Sequence, residues 1–279
     1  MIHSLTDSVV FNNGTKIPGL GLGVFQIPNE DTAAVVKQGI INGYRLIDTA
    51  QIYGNEEGTG AGIQAGLAAT GLTREDLFVT SKIWNAHLSK KEALDSFAAS
   101  LEKLQLDYLD LCLIHWPGNH AFKESWLALE ELAAQGKVKA IGVSNFEPHH
   151  LEELFTFATV TPVVNQIELH PKLAQKELRA FCEEHQIKVQ AWSPLMQGKL
   201  LDHPTIKKIA TKHQKTPAQV ILRWDIQQDI LLVVKSVHED RMRSNADVFD
   251  FSLDEQDMQA LAQLDEGLRS GPNPDAFDF

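Results

Sequence analysis

Residues 77–115 read LFVTSKIWNAHLSKKEALDSFAASLEKLQLDYLDLCLIH, and their pattern recurs along the whole chain. The stretch begins with the β-rich apolar run LFVTSK (77–82) and ends with a second one, LDLCLIH (109–115). Between them, a Ser89–Glu92 capping box precedes apolar residues that repeat at helical spacing, namely Leu94, Phe97, Leu101 and Leu104. Parallel strands joined through a helix require a right-handed crossover, so the stretch predicts one βαβ unit.

The same alternation occurs eight times. The apolar runs are LGLGV (20–24), YRLIDT (44–49), LFVTSK (77–82), LDLCLIH (109–115), KAIGVSN (139–145), VVNQIE (163–168), KVQAWS (188–193) and ILLVVKS (230–236). Eight such units in about 250 residues are typical of a closed (β/α)8 barrel. We therefore expect an α/β fold, a (β/α)8 TIM barrel with a short N-terminal β-hairpin and a C-terminal tail. No linker or change in composition divides the chain, which predicts a single domain over residues 1–279.

The alternative is an open doubly wound sheet, which carries a glycine fingerprint directly after its first strand. Residues 60–65, GAGIQA, match G-x-G-x-x-A. The preceding strand is expected to end near Thr49, so these glycines fall well inside the following helix. That position is too late for a pyrophosphate at the helix N-terminus, and we interpret the match as coincidental.

Composition narrows the possible partners. A formal net charge of −12 argues against nucleic acid, because phosphate binding needs a basic surface. The two cysteines, Cys112 and Cys182, lie in apolar and helical segments and indicate reduced core thiols. The N-terminus resembles no signal peptide, and no apolar run approaches the roughly 20 residues of a membrane span. We expect a cytoplasmic monomer without a membrane partner.

Four polar residues follow consecutive strands at the end of the barrel where active sites form. Asp48 closes the second predicted strand, Tyr53 follows in its loop, and Lys82 and His115 close the next two. Each alone has a simpler interpretation, as a helix cap, a packing residue, a solvated lysine or a core histidine. Four at equivalent strand ends are harder to explain by packing, because buried charge is costly unless it is paired.

Together the four residues predict a site that protonates an oxyanion. A free tyrosine with a pKa of about 10 is a weak acid near neutrality, but a cation within about 4–6 Å lowers that pKa. Lys82 can be this cation, Asp48 can hold it by pairing, and His115 can donate to the same substrate oxygen. The chain has no G-x-S-x-G, H-E-x-x-H or C-x-x-C motif to supply a nucleophile. Hydride from a bound cofactor would serve instead.

These residues lie in motifs that resemble the aldo-keto reductases along nearly the whole chain. The motifs, in order, are GLGLGVFQ, GYRLIDTAQIYGNEEGTG, TSKIWN, LDLCLIHWP, GVSNF, NQIELHP, AWSPLMQG and VVKSVHEDRMRSNADVFDF. The tail GPNPDAF is also similar to that of the bacterial branch with 2,5-diketo-D-gluconate reductases and methylglyoxal-reducing enzymes. The resemblance implies NADPH-dependent reduction of small aldehydes, ketones or dicarbonyls.

The resemblance also implies a role for individual residues. Tyr53 would be the general acid, Lys82 and Asp48 would tune it, and His115 would orient the carbonyl. The residues implied for the cofactor are Ser144, Asn145 and Gln166 at the carboxamide, Trp192 stacked on the nicotinamide, Ser193, Leu195 and Gly198 over the pyrophosphate, and Lys235, Ser236, Val237, Arg241 and Asn245 around the adenosine 2′-phosphate. The residues implied for the substrate pocket are Phe25, Trp84, His115 and Trp116.

One departure and two rival functions remain. Where relatives commonly have I-P-K-S, this chain has Val233-Val234-Lys235-Ser236, which frees an N–H and a φ angle beside the implied phosphate site. A catalytically idle barrel used for binding or sensing is one rival. The other is a metal-dependent hydrolase. His149 and His150 are adjacent on a predicted helix and are not expected to face one metal together, so no metal is predicted.

Overall fold

The computed structural model, which describes residues 2–87, 89–118 and 121–277, contains an antiparallel hairpin and a closed parallel barrel. The hairpin consists of β1 (Ser8–Val10) and β2 (Lys16–Pro18). The barrel consists of β3 (Leu20–Gly23), β4 (Leu46–Asp48), β5 (Phe78–Ile83), β6 (Leu109–Ile114), β7 (Val138–Ser144), β8 (Val164–Glu168), β9 (Lys188–Trp192) and β10 (Leu231–Lys235). Each barrel strand falls within a predicted apolar run or one residue outside it, which confirms the TIM-barrel prediction.

Helices follow or separate the strands as the crossovers require. They are α1 (Asn29–Ile41), α2 (Glu56–Thr70), α3 (Lys90–Leu104), α4 (Lys123–Ala134), α5 (Pro148–Phe155), α6 (Lys176–Glu184), α7 (Pro204–His213), α8 (Pro217–Ile226), α9 (Glu239–Ala246) and α10 (Glu255–Ala262). The predicted capping box at the start of α3 is present, because the Ser89 hydroxyl accepts a hydrogen bond from the Glu92 N–H. No helix of the described residues is long and apolar enough to cross a membrane.

The hairpin closes the amino end of the barrel. Ile17 of β2 is fully buried and Phe11 in the hairpin turn is 3% exposed. Both pack into one apolar cluster with residues near the start of the barrel strands, including Leu46, Phe78 and Leu231. With this end filled by side chains, the carboxyl ends of the strands are left to form the site.

The glycines of the G-x-G-x-x-A match lie inside α2, and their use is helix packing. A Cβ on Gly62 would lie 2.7 Å from Cβ of Val36 in α1, and one on Gly66, which directly follows the match, would lie 2.6 Å from Cδ1 of Ile40. A Cβ on Gly60 would meet the backbone of Leu104 at the end of α3. The absence of side chains therefore lets α2 approach its neighbours closely, and the predicted location within a helix is confirmed.

Val234, which stands where the resemblance implies a proline, forms a regular part of β10. It is buried and pairs with Leu22 of β3 in the barrel register. A residue with a free N–H suits this position, because central strands use their N–H groups in the ladder. The strand therefore runs without interruption to Lys235.

Asp225 in α8 is a buried carboxyl group without a hydrogen-bond partner. The residue is fully buried, and neither carboxyl oxygen has a partner among the described residues. Burial raises the pKa of Asp225 well above its ordinary value, and the charge of Arg179 opposes this only in part. The folded protein therefore holds a proton there at pH values where the unfolded chain has released it. Stability must fall as pH rises from about 4 toward the folded-state pKa.

We expect Asp225→Asn to remove this loss of stability. The variant should melt above the parent at pH 8, and the difference should shrink as pH falls to about 4, where both states of the parent bind the proton. In a large domain, each 1 kcal/mol shifts Tm by about 2–4 °C. Thermal unfolding from pH 4 to pH 8 measures the effect, with Asp107→Asn at an exposed position as the control. A constant difference across this range would contradict the assignment.

Candidate active site

A buried ion pair between neighbouring strands lies at the centre of the site. Asp48 is the last residue of β4, and Lys82 lies near the end of β5, which pairs with β4. The Lys82 Nζ donates to Asp48 Oδ1 at 2.6 Å and to the Thr49 carbonyl at 2.9 Å. Both side chains are almost completely buried, at 0% and 5% exposure. The pair and the carbonyl fix the ammonium group in one position.

Tyr53 presents its hydroxyl to this ammonium. It ends a short 3-10 turn, Gln51–Tyr53, that follows β4 by two residues. Its hydroxyl lies 3.4 Å from Lys82 Nζ, and the Nζ is 5.1 Å from the ring centroid. The contact that the sequence predicted among Asp48, Tyr53 and Lys82 is therefore present.

The net direction of the Tyr53 pKa differs from the prediction. Burial raises the pKa of Tyr53 above its ordinary value and the Asp48 charge adds to the rise, while the charge and hydrogen bond of Lys82 oppose it. Lys82 thus limits an increase instead of producing a net decrease. Burial alone would lower the pKa of Lys82, but Asp48 and Tyr53 together raise it, so the lysine stays charged.

His115 completes the group as a neutral imidazole. It follows β6, is 7% exposed, and its ring lies 5.7 Å from that of Tyr53 in an edge-on arrangement. Burial lowers the pKa of His115 well below its ordinary value, and the Lys82 charge lowers it further. Its Nδ1 is buried without a hydrogen-bond partner among the described residues. A neutral ring carries one N–H, so His115 has a single donor to offer.

Residues at the ends of β7 and β9 form a connected wall beside the tetrad of Asp48, Tyr53, Lys82 and His115. Asn145, with φ at +64°, donates from Nδ2 to the His115 carbonyl at 3.0 Å. Its Oδ1 accepts from Trp192 Nε1 at 2.8 Å, which fixes one end of the partly buried indole. Ser144 donates from its hydroxyl to the Gln166 carbonyl at 2.8 Å.

Gln166 connects this wall to the tetrad, a link that the sequence analysis missed. Its Nε2 donates to Asp48 Oδ2 at 2.7 Å and to Gln190 Oε1 at 2.8 Å. The second oxygen of Asp48 is thereby satisfied in the interior, and a chain of contacts extends from Gln190 to Lys82. Gln166 and Gln190 are polar residues in buried strand positions, and this is the signal that could have revealed the chain.

The loop implied for the pyrophosphate follows Trp192 and is tightly turned. Ser193 and Gly198 have φ angles of +54° and +87°. A 3-10 turn covers Met196–Gly198, and Leu195 precedes it as a partly buried residue. Ser193, Leu195 and Gly198 therefore lie in one tightly turned segment that follows Trp192 in the sequence, and their role at a pyrophosphate stays a prediction.

The residues implied for the 2′-phosphate lie where β10 leads into α9. Lys235, Val237 and Arg241 are exposed, and Ser236 and Asn245 are buried. Within the described part of the chain, the side chains of Lys235 and Arg241 make neither a hydrogen bond nor a salt bridge. The acidic Glu239 instead pairs with Arg243, one turn further along α9. Two cations are thus left available to an anion.

Aromatic rings lie beside Tyr53 and His115. The Phe25 ring lies 4.9 Å from that of Tyr53, and the Trp84 ring lies 5.3 Å from that of His115. Trp116 is 7% exposed and contacts Phe277 of the C-terminal tail, with ring centroids 4.5 Å apart. Phe25 and Trp84 thus contact the tetrad, whereas the ring contacts of Trp116 are with Trp192 and Phe277. The sequence analysis did not include Phe277.

The expectation that the adjacent His149 and His150 would not face a common site was wrong. Their rings lie 4.0 Å apart, and their Nε2 atoms are 3.0 Å and 3.5 Å from Asp275 Oδ1. The first turn of α5 therefore does bring both to one carboxylate. His150 Nδ1 accepts a hydrogen bond from the Glu147 N–H, which leaves the proton of a neutral ring on Nε2. That tautomer donates to Asp275, whereas a metal would need the unprotonated nitrogen.

The chain is similar to many reductases over its whole length. It is 53% identical over 280 residues to the glyoxal reductase of Bacillus subtilis, with 100% of each chain covered. It is 43% identical to the methylglyoxal reductase DkgA of Escherichia coli K12, and the match covers 96% of this chain and 97% of DkgA. The crystal structure of a Gox0644 mutant in complex with NADPH superposes with a TM-score of 0.92 at 42% sequence identity. The match covers 98% of this chain and 99% of the Gox0644 chain. The aldo/keto reductase family model matches residues 18–266, and the chain belongs to that family of oxidoreductases.

Proposed function

We propose that the protein reduces small aldehydes, ketones or dicarbonyls, such as methylglyoxal or 2,5-diketo-D-gluconate, with NADPH. The observation that carries the proposal is the contact of the Tyr53 hydroxyl with a buried, charged Lys82, beside a neutral His115. The relatives named glyoxal reductase and methylglyoxal reductase support this substrate class. The structures of relatives in complex with NADPH and NADP support the cofactor.

The residues present fit NADPH at three places. The indole of Trp192 is tied to Asn145 through its N–H, so its ring is oriented before a nicotinamide stacks on it. Lys235 and Arg241 are exposed cations whose side chains have no partner among the described residues, which suits a 2′-phosphate. The turned loop from Ser193 to Gly198 lies between these two regions in sequence and can cover the pyrophosphate. When bound, NADPH supplies the hydride.

The tetrad would supply the proton and hold the carbonyl. Tyr53 donates its hydroxyl proton to the developing alkoxide, and the nearby Lys82 charge stabilises the phenolate that remains. His115, being neutral, donates one hydrogen bond to the same oxygen without adding a charge. Asp48 keeps Lys82 charged and in place, and Gln166 holds the other oxygen of Asp48.

The rival function is a catalytically idle barrel used for binding or sensing. It accounts less well for the buried charges of Asp48 and Lys82. Desolvating an ion pair costs several kcal/mol per ion before the attraction repays it. A barrel that only binds has no evident need for a fully buried lysine aimed at a tyrosine hydroxyl. NADPH consumption with methylglyoxal, 2,5-diketo-D-gluconate and simple aldehydes separates the two. Binding of NADPH without turnover of any of these substrates would favour the rival.

We expect Tyr53→Phe to lower kcat by about 10²–10⁴ while NADPH binding persists, because a general acid contributes about that much. Tyr108→Phe is the matched control, since Tyr108 immediately precedes β6 at the amino end of the barrel. Steady-state rates and a fluorescence titration with NADPH measure the two effects. A Tyr53→Phe enzyme that reduces carbonyls near the parent rate would remove Tyr53 from the mechanism.

We expect Lys82→Met to abolish most activity and also to destabilise the fold. Removing one partner of a buried pair costs about 3–5 kcal/mol, because Asp48 is left as an uncompensated charge. Adding Asp48→Asn should recover much of the stability but not the activity. Denaturant unfolding of both single variants and the double variant measures the recovery, and kcat measures the loss. A stable and active Lys82→Met enzyme would contradict the role of the pair.

We expect Arg241→Ala to raise KM for NADPH about tenfold and to leave KM for NADH nearly unchanged. A charge-assisted hydrogen bond contributes about 1.5–3 kcal/mol, and only NADPH carries the 2′-phosphate. The variant should also show a weaker dependence of NADPH binding on salt. Arg243→Ala is the matched control, because Arg243 lies on the same helix but is paired with Glu239. Equal losses with both cofactors would assign Arg241 a structural role.

A further inference from the structure

Glu168 is a buried carboxylate for which the mechanism above has no use. It is the last residue of β8 and is fully buried. Its oxygens accept hydrogen bonds from His170 Nε2 at 3.1 Å, the Ser270 N–H at 2.7 Å, the Ser270 hydroxyl, and the Gly271 N–H at 3.1 Å. Burial disfavours its charge, but these bonds lower the pKa of Glu168 to about 2. It is therefore ionised and holds the C-terminal tail, residues 268–277.

The tail residue that Glu168 holds also contacts the indole of Trp192. A Cβ on Gly271 would lie 2.4 Å from Trp192 Cη2 and 3.2 Å from Cζ3, so the glycine Cα lies directly against the benzo edge of the ring. The opposite edge is fixed, because Nε1 donates to Asn145 at 2.8 Å. Asn145 and Gly271 thus hold the indole at its two ends.

The tail makes two further contacts, through residues before and after Gly271. Arg269 pairs with Glu147, which precedes α5, and Phe277 packs on Trp116. Neither contact directly sets the position of Gly271 at the edge of the indole. The bonds to Ser270 and Gly271 do so, because they attach these two residues to the end of a barrel strand.

We propose that Glu168 is a positioning residue that pins Gly271 against Trp192 and so fixes the indole face that receives the cofactor. The effect on the cofactor rests on the proposed function, in which Trp192 stacks on the nicotinamide. The effect on Trp192 itself does not depend on the cofactor. A role confined to stability would lower Tm without moving the indole.

Two variants test the proposal by different routes. Glu168→Gln keeps the shape of the side chain and removes the charge that accepts the tail N–H groups. Gly271→Ala keeps Glu168 and introduces a methyl group where Trp192 lies, at a position whose φ lies outside the left-handed region that disfavours alanine. Glu266→Gln is the matched control, since Glu266 is an exposed carboxylate that pairs with Lys172 just before the tail.

The first readout needs no cofactor. The indole N–H resonance of Trp192, assigned with Trp192→Phe, reports the position of the ring in ¹H–¹⁵N spectra, and hydrogen exchange reports the tail. Both test variants should shift or broaden this resonance and Glu168→Gln should speed exchange in the tail, while the control leaves both unchanged. An indole resonance that stays unmoved in Glu168→Gln would overturn the proposal, whatever Gly271→Ala does.

The second readout is the Kd for NADPH. Offset stacking on an aromatic ring corresponds to about two- to tenfold in affinity, so both variants should weaken binding by that factor. A parent protein that fails to bind NADPH would refute the proposed function, while the resonance of Trp192 would still decide the role of Glu168. A parent that binds NADPH, with both variants binding equally well, would refute the positioning role alone.

Discussion

The tetrad depends on the buried pair of Asp48 and Lys82, because the polar contacts that hold its members either satisfy this pair or use its charge. Lys82 is held by Asp48 and the Thr49 carbonyl, and Asp48 is held in turn by Gln166. A charge buried this deeply is stable only when its hydrogen bonds are complete. The completed set leaves the ammonium available to Tyr53. Burial lowers the pKa of His115 well below its ordinary value, and the Lys82 charge lowers it further.

The strand order and the tetrad could be predicted from the sequence, because both follow from local patterns. Each of Asp48, Lys82 and His115 lies at the carboxyl end of an apolar run. Because all the barrel strands are parallel, these ends lie at the same end of the barrel. The sign of the Tyr53 pKa shift could not be predicted. It depends on how much burial opposes Lys82, and burial is a property of the packed loops.

Contacts between distant parts of the chain were also beyond the sequence analysis. The bonds from Gln166 to Asp48 and from the tail to Glu168 join residues more than 100 positions apart. Nothing in the local spacing of NQIELHP indicates which donors will meet Glu168. The rings of His149 and His150 show the same limit, because their directions are set by Glu147 and Asp275 and not by adjacency in the helix.

Closure of the barrel at its amino end bears on how the chain is made. The hairpin residues Phe11 and Ile17 are synthesised before all the barrel strands, yet their apolar cluster includes Leu231 of the last strand. Leu20 of β3 likewise pairs with Leu232, so the first barrel strand retains an open edge until β10 is synthesised. Unpaired edges and exposed apolar side chains favour association between chains. Protection of the nascent amino-terminal segment by a chaperone would therefore matter most during synthesis of the second half of the protein.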